Sequence, residues 1–524
     1  MKNKIIEIFD TTLRDGMQGT GIHFSLKDKV DIALFLDDMR IDYIEGGFPL
    51  SNEIESRFFN QLKSHPFKNA KLCAFGSTRK PNTKVQDDPN IKAILDAETP
   101  AVTIVGKSWK AHVEQILKTS LEENLQMIFE SVRYVVERGR EVIFDLEHFF
   151  DGYKDDPSYV KKVLQAAAEA GATKLVPCDT NGGSLTHEVQ AIYREICQLY
   201  PEKIGSHFHN DLNLGVANSL VSVLEGSVHV QGTINGWGER CGNANLCSII
   251  PTLSLKLGYQ TRVDPQLKNL TLLSRYVSEK ANILPDRRQP YVGEAAFSHK
   301  AGQHADVLLK NKALMEHIDP TLVGNNSQVL ISGLAGKGTI ALKMGKFGKF
   351  DKNSPIVAEL TSIIKEKESL GYEFEAAEAS FELLVLKSLG KFKPLFELDN
   401  YHLESFKTHD FTAKTVGRLF ITINGKRYMG AGFGLGPVGV LDSALRDALS
   451  PIYPFITKIT LSDFSVRVLN AEESHSEAKV RVFITSSAEE KSWDTVGVSA
   501  NIVEASWEAL VDSYNYYYNF YFST

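Results

Sequence analysis

Apolar positions follow one repeating pattern over roughly the first 260 residues, in which short β-branched runs alternate with longer amphipathic stretches. This alternation is typical of βα units that repeat around a parallel sheet. The pattern predicts eight strands, at residues 5–9, 43–45, 71–75, 101–105, 141–146, 174–177, 204–208 and 228–231. Eight such units predict a closed (β/α)8 TIM barrel, whose active site lies at the C-terminal ends of the strands. An open doubly wound sheet is the alternative.

The barrel period is lost after residue 275, and the rest of the chain follows a different pattern. Helices are predicted at residues 355–370 and 375–389, within a linker region of otherwise loop-like sequence. A small α+β domain follows, with strands at 416–423, 459–468 and 478–485 and helices at 438–449 and 501–514. Its two strand-then-helix halves suggest an internal duplication. The predicted domains are therefore a catalytic barrel at 1–275, a linker region at 276–400 and an α+β domain at 401–524.

The charge balance is ordinary for an enzyme, with 65 acidic and 58 basic side chains and a net charge of −7. It gives no reason to expect a nucleic-acid partner. No apolar run approaches the ~18 residues that a membrane span needs, and the N-terminus has no signal-peptide core. We therefore expect a cytoplasmic protein without membrane contact. Five cysteines without Cys-x-x-Cys spacing argue against disulfides and against a thiolate zinc site.

Side chains that suit metal binding follow three of the predicted strands. His207 and His209 are two residues apart on the seventh strand, so both imidazoles point to the same side, which at this end is the barrel mouth. Asp15 after the first strand and Asn243 after the eighth supply oxygen ligands from neighbouring positions. Mixed nitrogen and oxygen ligation suits Zn²⁺, Mn²⁺ or Mg²⁺, with water or substrate in the open positions. The sequence therefore predicts a divalent metal site.

Three further polar residues lie after predicted strands. Arg14 carries a permanent charge, and its fork can hold an oxyanion that develops beside the metal, although a salt bridge at the barrel mouth is the alternative. Thr180 can donate a hydrogen bond to a substrate carboxylate. Glu147 is a candidate general base, an orienter of such a base, or the fixed partner of a nearby cation.

With these residues assembled, the sequence resembles the acetyl-CoA-dependent Claisen condensing enzymes, a family that includes the 2-isopropylmalate, homocitrate and citramalate synthases. The likeness is strongest to the citramalate synthase branch. It covers nearly the whole chain and is carried by the motifs at residues 10–16, 207–209, 236–243, 297–306, 316–324 and 493–507. The barrel motifs alone are also found in acyl-CoA lyases and carboxyltransferase domains, so they identify only the superfamily.

The resemblance implies a ligand set and a catalytic set. Asp15, His207 and His209 would bind the metal, with Asn243 close by or ligating.

In the implied catalytic set, Arg14 would stabilise the carbonyl oxygen of a keto acid and Thr180 would bind its carboxylate. Glu147 would form a pair with His304 that helps to remove a methyl proton from acetyl-CoA.

The resemblance also implies an activity and partners. The expected reaction condenses acetyl-CoA with a 2-keto acid, most simply pyruvate, and hydrolyses the thioester to give citramalate and CoA. This would belong to a branched-chain, isoleucine-forming route. The implied protein is a homodimer whose linker region covers the barrel mouth and whose C-terminal domain serves dimerisation and binds an amino-acid effector.

Two departures from the family pattern leave alternatives open. Met315 replaces the tyrosine usual before the motif at 316–320, and the glycine-rich run 430–436 replaces an Asp-Gly-Pro-Val turn in the effector domain. The alternatives are another keto acid such as 2-oxoisovalerate or an aryl pyruvate, an acyl-CoA lyase, and a catalytically weak assembly protein. Discrimination by one or two methylenes is worth only ~1–3 kcal/mol.

Overall fold

The computed structural model describes residues 4–63, 65, 67–299, 307, 311–329, 336–407, 413–469, 478–489 and 491–522. Its N-terminal part is a closed barrel of eight parallel strands in sequential order. The strands are β1 Glu7–Asp10, β2 Tyr43–Gly47, β3 Lys71–Ser77, β4 Ala101–Lys107, β5 Glu141–Glu147, β6 Lys174–Asp179, β7 Gly205–Phe208 and β8 His229–Gly232. Because β1 pairs with both β2 and β8, the sheet closes on itself. The predicted TIM barrel is confirmed, and the open sheet is wrong.

Helices between the strands bury their apolar faces against the outside of the barrel. Ser25 caps the first helix, since its side chain accepts a hydrogen bond from the backbone N–H of Asp28 and completes a capping box. The helices are Leu26–Asp38, Glu53–Leu62, Pro89–Asp96, Lys110–His112, Leu121–Val136, Phe149–Asp155, Pro157–Ala170, Thr186–Leu199, Gly215–Leu224, Leu246–Thr252 and Leu270–Lys280. This layer forms the largest apolar core of the described chain and fixes the strand ends in position.

Among the described residues from 336 onward, three helices come first, followed by two three-stranded antiparallel sheets, each leading into a helix. The first helices are Lys337–Lys343, Pro355–Ser369 and Glu378–Ser388. The first sheet contains β9 Glu397–Lys407, β10 Ala413–Ile423 and β11 Lys426–Gly434 and leads into helix Pro437–Leu449. The second contains β12 Thr460–Val468, β13 Val480–Ala488 and β14 Lys491–Ser499 and leads into helix Ile502–Tyr517. The predicted α+β domain is confirmed.

The glycine-rich run 430–436 is largely strand β11 rather than a turn. A Cβ at Gly430 would collide with the carbonyl oxygen of Ala444, and one at Gly432 with that of Val440. The same close approach occurs in the second sheet, where a Cβ at Gly497 of β14 would collide with the carbonyl oxygen of Ala505 in the following helix. These glycines let each helix lie directly on its sheet.

The chain divides into two compact units, each of which contains two separate segments of the sequence. One unit is Met1–Phe297 with Glu316–Ser327, and the other is Ser298–Met315 with Gln328–Thr524. The returning segment is held in the barrel unit by Val323, which is fully buried, and by Asn325, whose amide donates to the carbonyl oxygen of Tyr291 at 2.9 Å. Met315 directly precedes this segment. The domain limits expected at 275 and 400 stay a prediction.

Among the described residues, no helix is both long enough and apolar enough to cross a membrane.

Candidate active site

Three of the predicted metal ligands meet at the C-terminal ends of β1 and β7. Their side chains lie close together, with Asp15 Oδ2 3.3 Å from His207 Nε2 and 3.9 Å from His209 Nε2. The two imidazole Nε2 atoms are 3.4 Å apart. All three residues are buried, with exposed fractions of 2% for Asp15, 4% for His207 and 6% for His209. In the described chain they form the one cluster with metal-ligand chemistry.

The electrostatics of this cluster suit a cation. Burial alone would raise the pKa of Asp15, but Arg14, His207 and His209 outweigh it and hold that pKa well below its ordinary value. Burial and the neighbouring His207 lower the pKa of His209 to about 4. The pKa of His207 is raised, because Asp15 outweighs the effect of burial. Asp15 is therefore held as a carboxylate and His209 as a neutral imidazole, which are the forms that bind metals.

Asn243, the fourth predicted ligand, lies next to His209. Its backbone forms an isolated bridge with His209, and its side chain is only 1% exposed. Among the described residues, neither atom of its amide group has a hydrogen-bond partner, and Asp15 Oδ1 has none either. Buried polar atoms without partners are costly. The unpartnered Asp15 oxygen beside two imidazoles fits the divalent metal that the sequence predicts, and the unpartnered buried amide of Asn243 agrees with it.

A second set of residues orients His207, and sequence reasoning missed it. His207 Nδ1 donates to Gln231 Oε1 at 2.8 Å, and Gln231 Nε2 donates to Asp145 Oδ1 at 3.0 Å. With Nδ1 bonded to Gln231, Nε2 is the ring nitrogen that faces Asp15. The signal available in the sequence was a polar residue in the second half of each of two strands, Gln231 in β8 and Asp145 in β5.

We expect Gln231→Leu to weaken metal binding by about 10- to 100-fold, because the imidazole loses the partner that fixes its proton and its orientation. Metal titration of the purified protein measures this affinity. Gln165→Leu on the exposed face of helix Pro157–Ala170 is the matched control, and it should bind metal like the unmodified chain. Equal metal affinities in both variants would show that Gln231 has no role in metal binding.

Arg14 joins the cluster to β2. Its Nε donates to Glu45 Oε2 at 2.7 Å, its Nη1 lies 3.4 Å from Asp15 Oδ2, and its guanidinium lies 4.2 Å from the ring centroid of Phe75. Glu45 is fully buried and also accepts a hydrogen bond from the hydroxyl of Thr11. The salt bridge considered as an alternative role is therefore present. It also fixes the guanidinium at the wall of the cavity.

Glu147 and Thr180 line the same cavity as Arg14. The Glu147 carboxylate forms an ion pair with Lys107 at the end of β4, the cation partner that one of its alternative roles requires. The Thr180 hydroxyl accepts a hydrogen bond from the backbone N–H of His148 at 2.9 Å. The remaining predicted catalytic residue, His304, lies outside the described residues.

The cavity at the barrel mouth has a volume of about 400 Å³, which is enough for a small organic substrate. Its lining includes Arg14, Glu147, Thr180 and the three-residue cluster. Further lining residues come from β3, β4 and the segments that follow them: Phe75, Ser77, Val105, Lys107, Leu117 and Met127. The site thus combines a metal-ligand cluster, fixed cations and apolar side chains.

Family models match almost the entire chain. The HMGL-like model matches residues 5–277, the homocitrate synthase post-HMGL domain-like model residues 291–370, and the LeuA allosteric (dimerisation) domain model residues 375–518.

Individual relatives match the chain over nearly its full length. The (R)-citramalate synthase of Aquifex aeolicus is 49% identical over 514 residues, which cover 98% of this chain and 97% of the relative. The (R)-citramalate synthase of Geobacter sulfurreducens is 46% identical with the same coverage. The 2-isopropylmalate synthase of Methanocaldococcus jannaschii is 29% identical over 97% of this chain and 94% of its own. The chain therefore belongs to the HMGL-like enzymes and, among them, to the (R)-citramalate synthase family.

Proposed function

We propose that this chain condenses acetyl-CoA with pyruvate and water to give (R)-citramalate and CoA, in a branched-chain amino-acid route. The observation that carries this proposal is the sequence identity to the (R)-citramalate synthase of Aquifex aeolicus, which is 49% over 98% of the chain. The clustered Asp15, His207 and His209 in a cavity of substrate size agree with it.

The keto acid is bound and polarised in this scheme by polar groups that line the cavity. A divalent metal held by Asp15, His207 and His209, with Asn243 beside it, would supply a Lewis acid for the ketone oxygen. Mn²⁺, Mg²⁺ and Zn²⁺ all suit these ligands. Arg14 donates to the oxygen as it becomes an alkoxide, and Thr180 donates to the substrate carboxylate. Because Glu45 already holds one edge of the guanidinium, Arg14 presents its other nitrogens without further ordering.

The second half of the scheme concerns acetyl-CoA. Glu147 accepts a proton from the acetyl methyl group, and that carbon forms the new bond to the keto carbon. Lys107, paired with Glu147, keeps the carboxylate at the cavity wall. His304 is the second member of the pair on the family resemblance alone. Water then hydrolyses the thioester and releases the CoA thiol. Residues 375–518, which match the allosteric (dimerisation) model, support a homodimer with an amino-acid effector.

We expect thiol release from acetyl-CoA to be fastest with pyruvate in a panel that includes 2-oxoisovalerate and phenylpyruvate. The preference in kcat/KM should be at least about tenfold, because extra methylenes must fit against Phe75 and Val105. Reactions without a keto acid give the background of thioester hydrolysis. A higher kcat/KM with 2-oxoisovalerate would contradict the pyruvate assignment. Cleavage of 3-hydroxy-3-methylglutaryl-CoA without condensation would instead identify a lyase.

A further inference from the structure

His148 stands between two proposed site residues in an unusual backbone conformation. It follows Glu147, the last residue of β5, and precedes helix Phe149–Asp155 with φ 53° and ψ 37°, in the left-handed region. Histidine enters this region more readily than most residues with a side chain, but the conformation still costs free energy. Such residues persist where their surroundings hold them, and they concentrate at functional sites.

The backbone of His148 determines what the Thr180 hydroxyl can do. Its N–H donates to Thr180 Oγ1 at 2.9 Å. Because the hydroxyl accepts this bond and has a single hydrogen, that hydrogen is free to be donated elsewhere, and Thr180 lines the cavity. The carbonyl oxygen of Thr180 is also held, by Arg240 Nη2 at 2.7 Å. Arg240 is itself fixed by two hydrogen bonds to Asp211, at 2.8 and 2.9 Å.

The imidazole of His148 makes a second connection between the same two loops. Its Nδ1 lies 3.1 Å from Asp151 Oδ2, and the same carboxylate oxygen accepts a hydrogen bond from Asn181 Nδ2 at 3.0 Å. Although burial raises the pKa of Asp151, His148 and Asn181 outweigh it and hold that pKa below its ordinary value. The ring of His112, 4.3 Å away between centroids, packs against the imidazole. The loops after β5 and β6 are thus joined at Thr180 and again at Asn181.

We propose that His148 is a positioning residue for the 2-keto acid. Its N–H directs the Thr180 hydroxyl hydrogen toward the substrate carboxylate, and its imidazole, through Asp151 and Asn181, keeps Thr180 at the distance from Glu147 that the substrate requires. This inference rests on the proposed function, because it takes the ligand of Thr180 to be the carboxylate of the keto acid. It adds a residue that contacts no reacting atom yet sets the affinity for one of the two substrates.

Steady-state kinetics of His148→Ala, His148→Asn and Asp151→Asn test the proposal, with His187→Ala on the exposed surface of helix Thr186–Leu199 as the control. His148→Ala removes the imidazole that contacts Asp151, so Thr180 should lose its hydrogen bond to the charged carboxylate of pyruvate. The KM for pyruvate should rise about tenfold, and the KM for acetyl-CoA should stay within about twofold. His148→Asn should restore most of the affinity, since asparagine tolerates the left-handed conformation and can donate to Asp151. Asp151→Asn should shift the KM for pyruvate in the same direction.

The outcomes are distinct. A KM for pyruvate within about twofold of the unmodified chain in both His148→Ala and Asp151→Asn would overturn the inference, and so would an equal rise in both KM values. If His148→Ala does not fold, Asp151→Asn decides. An unmodified chain that releases no CoA from acetyl-CoA and pyruvate would contradict the proposed function instead. In that case the Kd for pyruvate, measured by calorimetry on the same variants, decides the role of His148 separately.

Discussion

Replacing Asp15 or His207 by alanine should abolish condensation, with kcat reduced at least about a thousandfold, and should lower the amount of bound metal. Asp15 Oδ2 lies 3.3 Å from His207 Nε2, so either substitution removes a donor from the centre of the cluster. The ketone would then lose its Lewis acid, while the cavity wall that binds the keto acid remains. Metal analysis of the purified variants, together with CoA release, measures both effects.

Matched controls separate this result from general damage to the protein. Asp38→Asn and His23→Ala change exposed residues of the same types within the barrel unit, and both should retain metal and activity. Full activity of the unmodified chain after exhaustive chelation would refute the metal site. Normal metal content in an inactive His207→Ala variant would show that the histidine acts in another way.

Arg14→Lys should lower kcat by about 10²-fold or more while the melting temperature changes little. Lysine keeps a positive charge beside Glu45 and Asp15, so the buried carboxylates still have a cation nearby. It has no fork, however, and cannot hold Glu45 with one nitrogen while donating to a developing alkoxide with another. Because this contact forms in the transition state, kcat and kcat/KM should fall together.

Arg133→Lys on the exposed face of helix Leu121–Val136 is the control for the Arg14 substitution, and its kinetics should match those of the unmodified chain. An unchanged kcat in Arg14→Lys would leave Arg14 with the structural role of an ion-pair partner for Glu45. A large fall in melting temperature would instead show that the fork stabilises the fold.

The barrel strands were predictable because a parallel strand buried on both faces reads as a continuous apolar run. Strand β4, for example, begins with Ala101 as the pattern predicts and extends two residues beyond the predicted end. The C-terminal sheets were harder. Strand β9 is exposed along most of both faces and carries charged residues, so it has no apolar periodicity to detect. Strand β11 was obscured by Gly430 and Gly432, whose place in a strand depends on the helix packed against them.

In the site, the proposed metal ligands were predictable from the sequence, whereas the residues that support them were not. Asp15 and His207 were placed in one cluster because parallel strands bring their C-terminal ends to the same face of a barrel. The support around them was not visible in the sequence. Gln231 and Asp145 are 86 positions apart, and their hydrogen bond exists only because the barrel brings them together. Glu45 was read as the end of a strand, and its role depends on Arg14, which lies on a different strand end.

Residues 316–327 belong to the barrel unit although residues 298–315 before them do not. This has consequences for folding during synthesis and for the construction of chimeric chains. A nascent chain cannot complete this unit when residue 297 leaves the ribosome, because Val323 fills its buried position 26 residues later. An exchange of C-terminal halves between relatives therefore has its natural junction after Ser327. A junction at residue 298 would give the barrel a foreign copy of the segment that contacts Thr271 and Tyr291, and the chimera would inherit a mismatch inside its catalytic half.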